Sequence, residues 1–228
     1  MTIEPIAYIY TDFKEKFGIP RQSGQAPSLR GRIVLEPAYR QPDALRGIEG
    51  FSHLWLIFDF SKAHRDEWSP TVRPPRLGGN RRVGVFASRS PFRPNSLGLS
   101  CVELIGVEPD NGQGMTLLVG GADLLDGTPI YDIKPYLPYA DCKEHATGGY
   151  TDEVPRHRLH VEFPRNLAAA LSDEAYAAAS ECLAEDPRPS YQDDPERLYS
   201  MRFAAWDIRF RVADDLLTVV AVDQEADV

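Results

Sequence analysis

The sequence predicts a mainly β chain, an antiparallel sandwich or barrel over its first two-thirds followed by a small α+β unit. Three observations carry this. Seven short runs of aliphatic, β-branched and aromatic residues precede position 141, separated by turn-forming residues. Strong amphipathic helices are missing between most of them, so the crossovers needed by a doubly wound parallel sheet are missing too. After Ala140 the composition turns polar, then rich in Ala, Leu and Glu.

In order, strands are expected at Ile3–Tyr10, Leu29–Leu35, His53–Phe60, Val83–Phe86, Leu99–Val107, Met115–Val119 and Ile130–Ile133, with a short helical insert over Pro42–Arg46. Asn111-Gly112 and Asp126-Gly127 read as tight turns, because glycine accepts the positive φ that such turns need. These elements make a unit over residues 1–141. Residues 142–160, with Gly148-Gly149 and Pro155, read as a linker to a second unit over 161–228. In that unit Asn166–Glu185 predicts one or two helices, with Ser172 capping the second and Asp186-Pro187-Arg188-Pro189 stopping it. Tyr199, Met201 and Phe203 alternate in one phase, and Trp206, Ile208, Phe210 and Val212 in the other. The slip at Ala204-Ala205 predicts a β-bulge in one long strand, with Leu216–Val222 returning as its hairpin partner across Asp214-Asp215.

Composition excludes several classes. At 228 residues and 43% hydrophobic content the chain can bury a full core. No stretch approaches the ~18 apolar residues of a membrane helix, and Met1-Thr2-Ile3-Glu4-Pro5 lacks a signal-peptide layout. A cytoplasmic protein without a membrane partner is expected. Cys101, Cys142 and Cys182 are widely spaced, which predicts reduced thiols. His157 and His160 lie near Asp152 and Glu153 without a third strong ligand, so no metal site is expected. Walker, Gly-x-Gly-x-x-Gly, Gly-x-Ser-x-Gly and His-Glu-x-x-His motifs are missing. A Rossmann-type site is thereby disfavoured.

One local feature stands against the formal net charge of -9: between Trp68 and Val102 there is no Asp or Glu, but there are Arg73, Arg76, Arg81, Arg82, Arg89 and Arg93. An acidic chain does not bind nucleic acid indiscriminately, because that affinity comes from broad phosphate neutralisation. A focused basic loop suits one selected anion or RNA. Arg93 suits phosphate or base stacking and the Asn95 amide suits an adenine edge, with Arg73, Arg76, Arg81 and Arg82 as backbone contacts. Asp132 and Lys134 fall on one face of an extended segment, where they read either as an ion pair or as groups that orient a reacting amine or take its proton.

Four ordered segments resemble a known family. They are Phe17-Gly18-Ile19-Pro20-Arg21-Gln22, Gly50-Phe51-Ser52-His53-Leu54-Trp55, the Arg73–Ser100 stretch, and Asp123–Tyr136 with its Asp-Leu-Leu-Asp-Gly-Thr-Pro-Ile-Tyr run. Together they resemble the TsaA-like tRNA methyltransferases (TrmO), enzymes that use S-adenosylmethionine. The resemblance implies an antiparallel β-barrel carrying the cofactor, commonly with two subunits building the site, and hence a homodimer. It implies cofactor contacts at Pro20, Arg21, Gln22, Arg89, Ala122, Asp123, Leu124, Leu125 and Asp126. Ser61 and Lys62 also join the pocket wall, standing where related proteins often carry a histidine; a catalytic imidazole at that position is excluded. His53 and His64 lie nearby in sequence, and His53 reads equally well as a satisfied core residue. Asn95, Asp132, Lys134 and Tyr136 become the candidate catalytic group. The implied reaction is N6-methylation of N6-threonylcarbamoyladenosine at position 37, in the anticodon stem-loop of tRNA. A noncatalytic S-adenosylmethionine-sensing or RNA-binding barrel is the main alternative, and a hydrolase using Asp123 or Asp126 as base ranks last.

Overall fold

The computed structural model describes residues 2–78, 81–110, 114–154, 157–189, 192 and 194–224. Strands β1 (Ala7–Thr11), β2 (Arg30–Leu35) and β3 (His53–Asp59) precede a small ribbon, β4 (Thr71–Val72) with β5 (Val83–Gly84). Then come β6 (Leu97–Asp110), β7 (Gly114–Gly120) and β8 (Thr128–Pro135). Six strands close into an antiparallel barrel in the order β1-β2-β7-β6-β3-β8, which leaves no open edge.

Two-residue alternation fills the barrel. Leu54, Leu56 and Phe58 of β3 point inward opposite Val102, Ser100 and Gly98 of β6. Ala7, Ile9, Ile33, Leu117, Val119 and Ile130 complete the interior, each fully withdrawn from water. At Gly98 a Cβ would fall 2.2 Å from the Phe58 ring, so that ring occupies the space a side chain would take.

After the barrel come α1 (Pro138–Asp141), α2 (Tyr150–Glu153), β9 (His160–Glu162), α3 (Arg165–Ala168) and α4 (Asp173–Ala184). The chain ends in β10 (Tyr199–Phe203), β11 (Trp206–Ala213) and β12 (Leu216–Gln224). The second sheet runs β10-β11-β12-β9, with β9 parallel to β12. Ser172 caps α4, its hydroxyl accepting from the Ala175 amide at 3.2 Å.

Several expectations are corrected. The first strand begins at Ala7 and not Ile3, after Pro5, which has no amide to donate. Val83 and Gly84 pair with the β4 ribbon outside the barrel, and the chain coils into a 3-10 turn at Val85–Ala87. Pro42–Leu45 is helical but of the 3-10 type. Ala204 and Ala205 form no bulge: they turn a hairpin between β10 and β11, with Ala204 at a φ of 53° and Phe203 paired to Trp206. The irregularity in this sheet lies further on, between Arg209 and Phe210. Asp214-Asp215 does turn β11 into β12, and Gly127 (φ 70°) does turn into β8. The expected turn at Asn111-Gly112 and the linker residue Pro155 lie outside the described residues.

Residues 12–29, between β1 and β2, join the two sheets. Phe13 packs edge-on against Phe203 at 5.3 Å and Phe17 stacks on Phe210 at 6.4 Å. Each buried ring contributes roughly 1.5–3 kcal/mol. Gly18 (φ 96°) lies so close to Met201 that an added Cβ would stand 2.6 Å from the thioether. The Ser28 amide and hydroxyl both donate to the Glu181 carboxylate of α4 at 2.8 Å. The second sheet therefore braces the segment that carries Pro20, Arg21 and Gln22.

Candidate active site

Two cavities open at the barrel end where β3 stops and β6 and β8 start. The smaller, about 230 Å³, is walled by Ile19, Phe58, Phe60, Pro91, Leu124 and Leu125, with Asp123, Lys16 and Lys62 among them. The larger, about 610 Å³, holds Arg93, Asn95, His64 and Tyr131. Asp59 and Ala63 line both.

Asp123 is positioned by a backbone that only glycine permits. Gly121 adopts a φ of 67° and its carbonyl accepts a 2.9 Å hydrogen bond from the amide of Gly24, whose backbone an added Cβ would meet at 3.1 Å. This close approach sets residues 20–24 against the start of the Asp123 segment. The Ser100 hydroxyl, pointing into the barrel end, donates to Asp123 Oδ1 at 2.5 Å. Burial pushes the Asp123 carboxyl above its usual range; Ser100, the Ser23 amide and the Arg89 charge hold it down in part. Arg89 itself donates to Gln22 Oε1 at 2.5 Å. The chain thus draws Gln22, Arg89 and Asp123, more than sixty positions apart from first to second, into one neighbourhood.

The other expected site residues divide. Pro20 is buried, Gln22 half-buried, and Arg21 exposed with its guanidinium on the Arg188 carbonyl at 3.2 Å. Ser61 and Lys62 sit exposed on the rim of the smaller cavity, where Lys16 Nζ donates to the Lys62 carbonyl at 2.7 Å. Leu124 and Leu125 face the same cavity, and Ala122 is buried beside them. Asp126 turns away: it accepts from the Thr11 amide at 2.9 Å and pairs with Lys14 at 2.6 Å, clamping the turn into β8.

Arg93 and Asn95 line the larger cavity, and Arg93 also donates to the Ser88 carbonyl at 3.2 Å. Asp132, Lys134 and Tyr136 line neither. Asp132 and Lys134 pair with each other at 2.9 Å on the outer barrel face, and Tyr136 packs near Trp55 with ring centroids 5.9 Å apart. His53 is exposed and bonded to the Ser52 hydroxyl, not part of the core. Arg73 is exposed at the β4 ribbon, Arg82 donates to Thr71 at 2.7 Å, and Arg81 pairs with Glu153 at 2.7 Å. The Arg76 side chain lies outside the described residues.

Sequence reasoning missed Lys16, Phe58, Asp59 and Phe60 as cavity walls, and the contact of His64 with Asp59. Asp59 Oδ1 lies 2.7 Å from His64 Nε2, and Asp59 keeps only 9% of its surface exposed. Tyr131 joins them through a bulge: Ile57 pairs with Asp132 while Phe58 pairs with Ile130, so β8 carries an extra residue there. The one available signal was a lone carboxylate ending an otherwise apolar strand.

The smaller cavity combines flat apolar walls, two withdrawn carboxylates, Asp59 and Asp123, and two ammonium groups. That donor set fits a ligand with an aromatic base, hydroxyl or ammonium donors, and a free carboxylate, which are the parts of S-adenosylmethionine.

The family model of the tRNA-methyltransferase O N-terminal domain matches residues 8–142, which hold nearly all of the barrel and of the lining of both cavities. The chain belongs to the TrmO family. The TrmO C-terminal domain matches residues 156–225. A relative from Escherichia coli K12 named tRNA (adenine(37)-N6)-methyltransferase is 42% identical over 228 residues, covering 96% of this chain and 97% of that protein. A Pyrococcus abyssi relative, named a probable S-adenosyl-L-methionine-binding protein, is 36% identical over 149 residues, covering 65% of this chain and 75% of its own length. The crystal structure of TrmO from Pseudomonas aeruginosa matches with a TM-score of 0.78 at 37% identity, over 98% of each chain. The TrmO likeness thus extends through the second sheet and the segment it braces.

Proposed function

We infer that this chain is an S-adenosylmethionine-dependent tRNA adenine-N6 methyltransferase, acting on N6-threonylcarbamoyladenosine at position 37 of the anticodon stem-loop. The observation that carries the reading is the shared Asp59 wall. A carboxylate-bearing apolar cavity abuts a cavity with arginine and asparagine, so a donor and an acceptor could meet across one side chain. The name of the E. coli relative supports the adenine-N6 chemistry.

Bound S-adenosylmethionine supplies a methyl group already activated on a sulfonium, so the chain's task is placement. Asp123 accepts from hydroxyl or ammonium donors, Lys16 and Lys62 attract a carboxylate, and Phe58 and Phe60 flank a flat ring. Gln22 and Arg89 hold the wall between the 20–24 segment and the basic loop. Arg93 and Asn95 take the nucleotide, and the exposed Trp68 and Phe86, 6.3 Å apart, offer faces for unstacked neighbouring bases. Arg73, Arg81 and Arg82 on the ribbon then contact the RNA backbone. Residues 1–141 form the catalytic unit, and the unit after residue 160 braces it. The chain works in the cytoplasm, where tRNA is modified; no helix among the described residues is long and apolar enough to cross a membrane. It does so as a homodimer, through the outer face of β6, where Leu97, Leu99 and Ile105 stand 37%, 52% and 45% exposed.

The test is nucleoside mass spectrometry of threonylcarbamoylated tRNA incubated with the protein, with and without S-adenosylmethionine. Gain of one methyl on that nucleoside is expected. Binding of the cofactor with no gain would replace the enzyme by a noncatalytic sensor.

A further inference from the structure

We propose that His64, oriented by Asp59, is the proton acceptor of the methyl transfer, an inference that rests on the reading above. The reacting nitrogen sits on an adenine ring, and with an acyl group attached its lone pair is further delocalised. Such a nitrogen becomes a competent nucleophile only as its proton leaves. The larger cavity contains one imidazole, that of His64, whose unprotonated ring nitrogen can take up such a proton.

The geometry supplies the rest. Asp59, nearly buried at the wall between the cavities, lies 2.7 Å from His64 Nε2. A carboxylate there holds the ring proton on Nε2 and leaves Nδ1 as the basic nitrogen, the division of labour that an acid-oriented imidazole needs. The His64 side chain is 61% exposed, so a proton taken up can pass on to water. The other charged or titratable groups around the imidazole's cavity are Tyr131 from β8, Arg93 from the loop before β6, and Arg65, Asp66 and Glu67 on its own loop. Arg65 is turned onto the Phe92 ring, 3.6 Å from its centroid, and leaves Asp59 as the group in direct contact with the imidazole.

In the step, the N6–H bond breaks and its proton passes to Nδ1 of His64. The nitrogen pair forms the new N–C bond to the methyl carbon. The C–S bond breaks with its electrons left on sulfur, which becomes a neutral thioether. His64 is the catalytic residue and Asp59 its positioning residue.

The experiment compares unaltered protein, His64→Ala and Asp59→Asn on threonylcarbamoylated tRNA, with cofactor affinity measured calorimetrically on each. For His64→Ala, kcat should fall about 10²–10³-fold, with tRNA KM and cofactor affinity near those of the unaltered protein. Added imidazole should restore part of the rate. For Asp59→Asn, kcat should fall by less than for His64→Ala, because the imidazole remains but loses the carboxylate that orients it. In the protein without cofactor, nitrogen NMR should find the His64 ring proton on Nε2 in the unaltered chain, a preference lost in Asp59→Asn. A folded His64→Ala variant with unchanged kcat, or with raised KM alone, would overturn the proposal. Failure of the unaltered protein to methylate would overturn the reading beneath it as well.

Discussion

Asp123 shows how much one side chain depends on its neighbours. Its carboxyl is lifted by burial and steadied by the Ser100 hydroxyl, so its ionised form is the one that should receive donors from the cofactor. Asp123→Asn should weaken cofactor binding about 10- to 100-fold, the scale of a lost charge-assisted hydrogen bond, by calorimetry. The sign of the pH effect follows from the same shift. Protonation removes the acceptor, so affinity should fall as pH drops through a pKa above the ordinary 3.8, and Asp123→Asn should flatten that limb. Arg89→Ala and Gln22→Ala should each weaken binding, and the double variant should lose less than the sum, because both remove the same 2.5 Å contact. At this scale the sequence was legible only through resemblance. Pro20, Gln22 and Asp123 are ordinary loop residues until their motif is recognised, and nothing local marks Asp59 and His64 as partners.

At the scale of elements, period-two alternation exposed the barrel strands, since a residue in β3 or β6 is either in the core or in water. Turn chemistry misled where the residue type was unusual. An alanine at a φ of 53° carries no turn signature, so Ala204-Ala205 read as a slip within one strand. The three-residue β9 was invisible because its hydrogen-bond partner β12 lies more than fifty positions away. Two substitutions separate the elements. Gly98→Ala must displace the Phe58 ring, so the urea midpoint should fall by an equivalent of about 1–3 kcal/mol and cofactor affinity should fall with it. Ser172→Ala removes only the α4 cap, costing about 1 kcal/mol with cofactor affinity unchanged.

For the whole molecule, the balance of charge predicts selective and salt-sensitive RNA binding. The Arg81–Glu153 pair is exposed on both sides and worth at most about 1 kcal/mol, so it yields readily to a phosphate. Removing Arg73, Arg81 or Arg82 singly should lower the salt slope of tRNA binding by about 1 and leave sequence preference intact, by filter binding across a salt series. Light scattering should find a dimer, and Leu99→Glu on β6 should shift it toward monomer. The contact between the barrel and the second sheet was not legible, because Phe13, Gly18 and Ser28 give no hint of partners roughly 150 to 190 positions later. That contact has a consequence for synthesis on the ribosome. The rings that Phe13 and Phe17 pack against, Phe203 and Phe210, emerge late, so the early segment bearing Gln22 has contacts such as those to Arg89 and Gly121, but not these rings, while the rest of the chain is translated. The barrel strands are all made by residue 135, yet residues 12–29 gain the support of the second sheet only when β10 and β11 arrive.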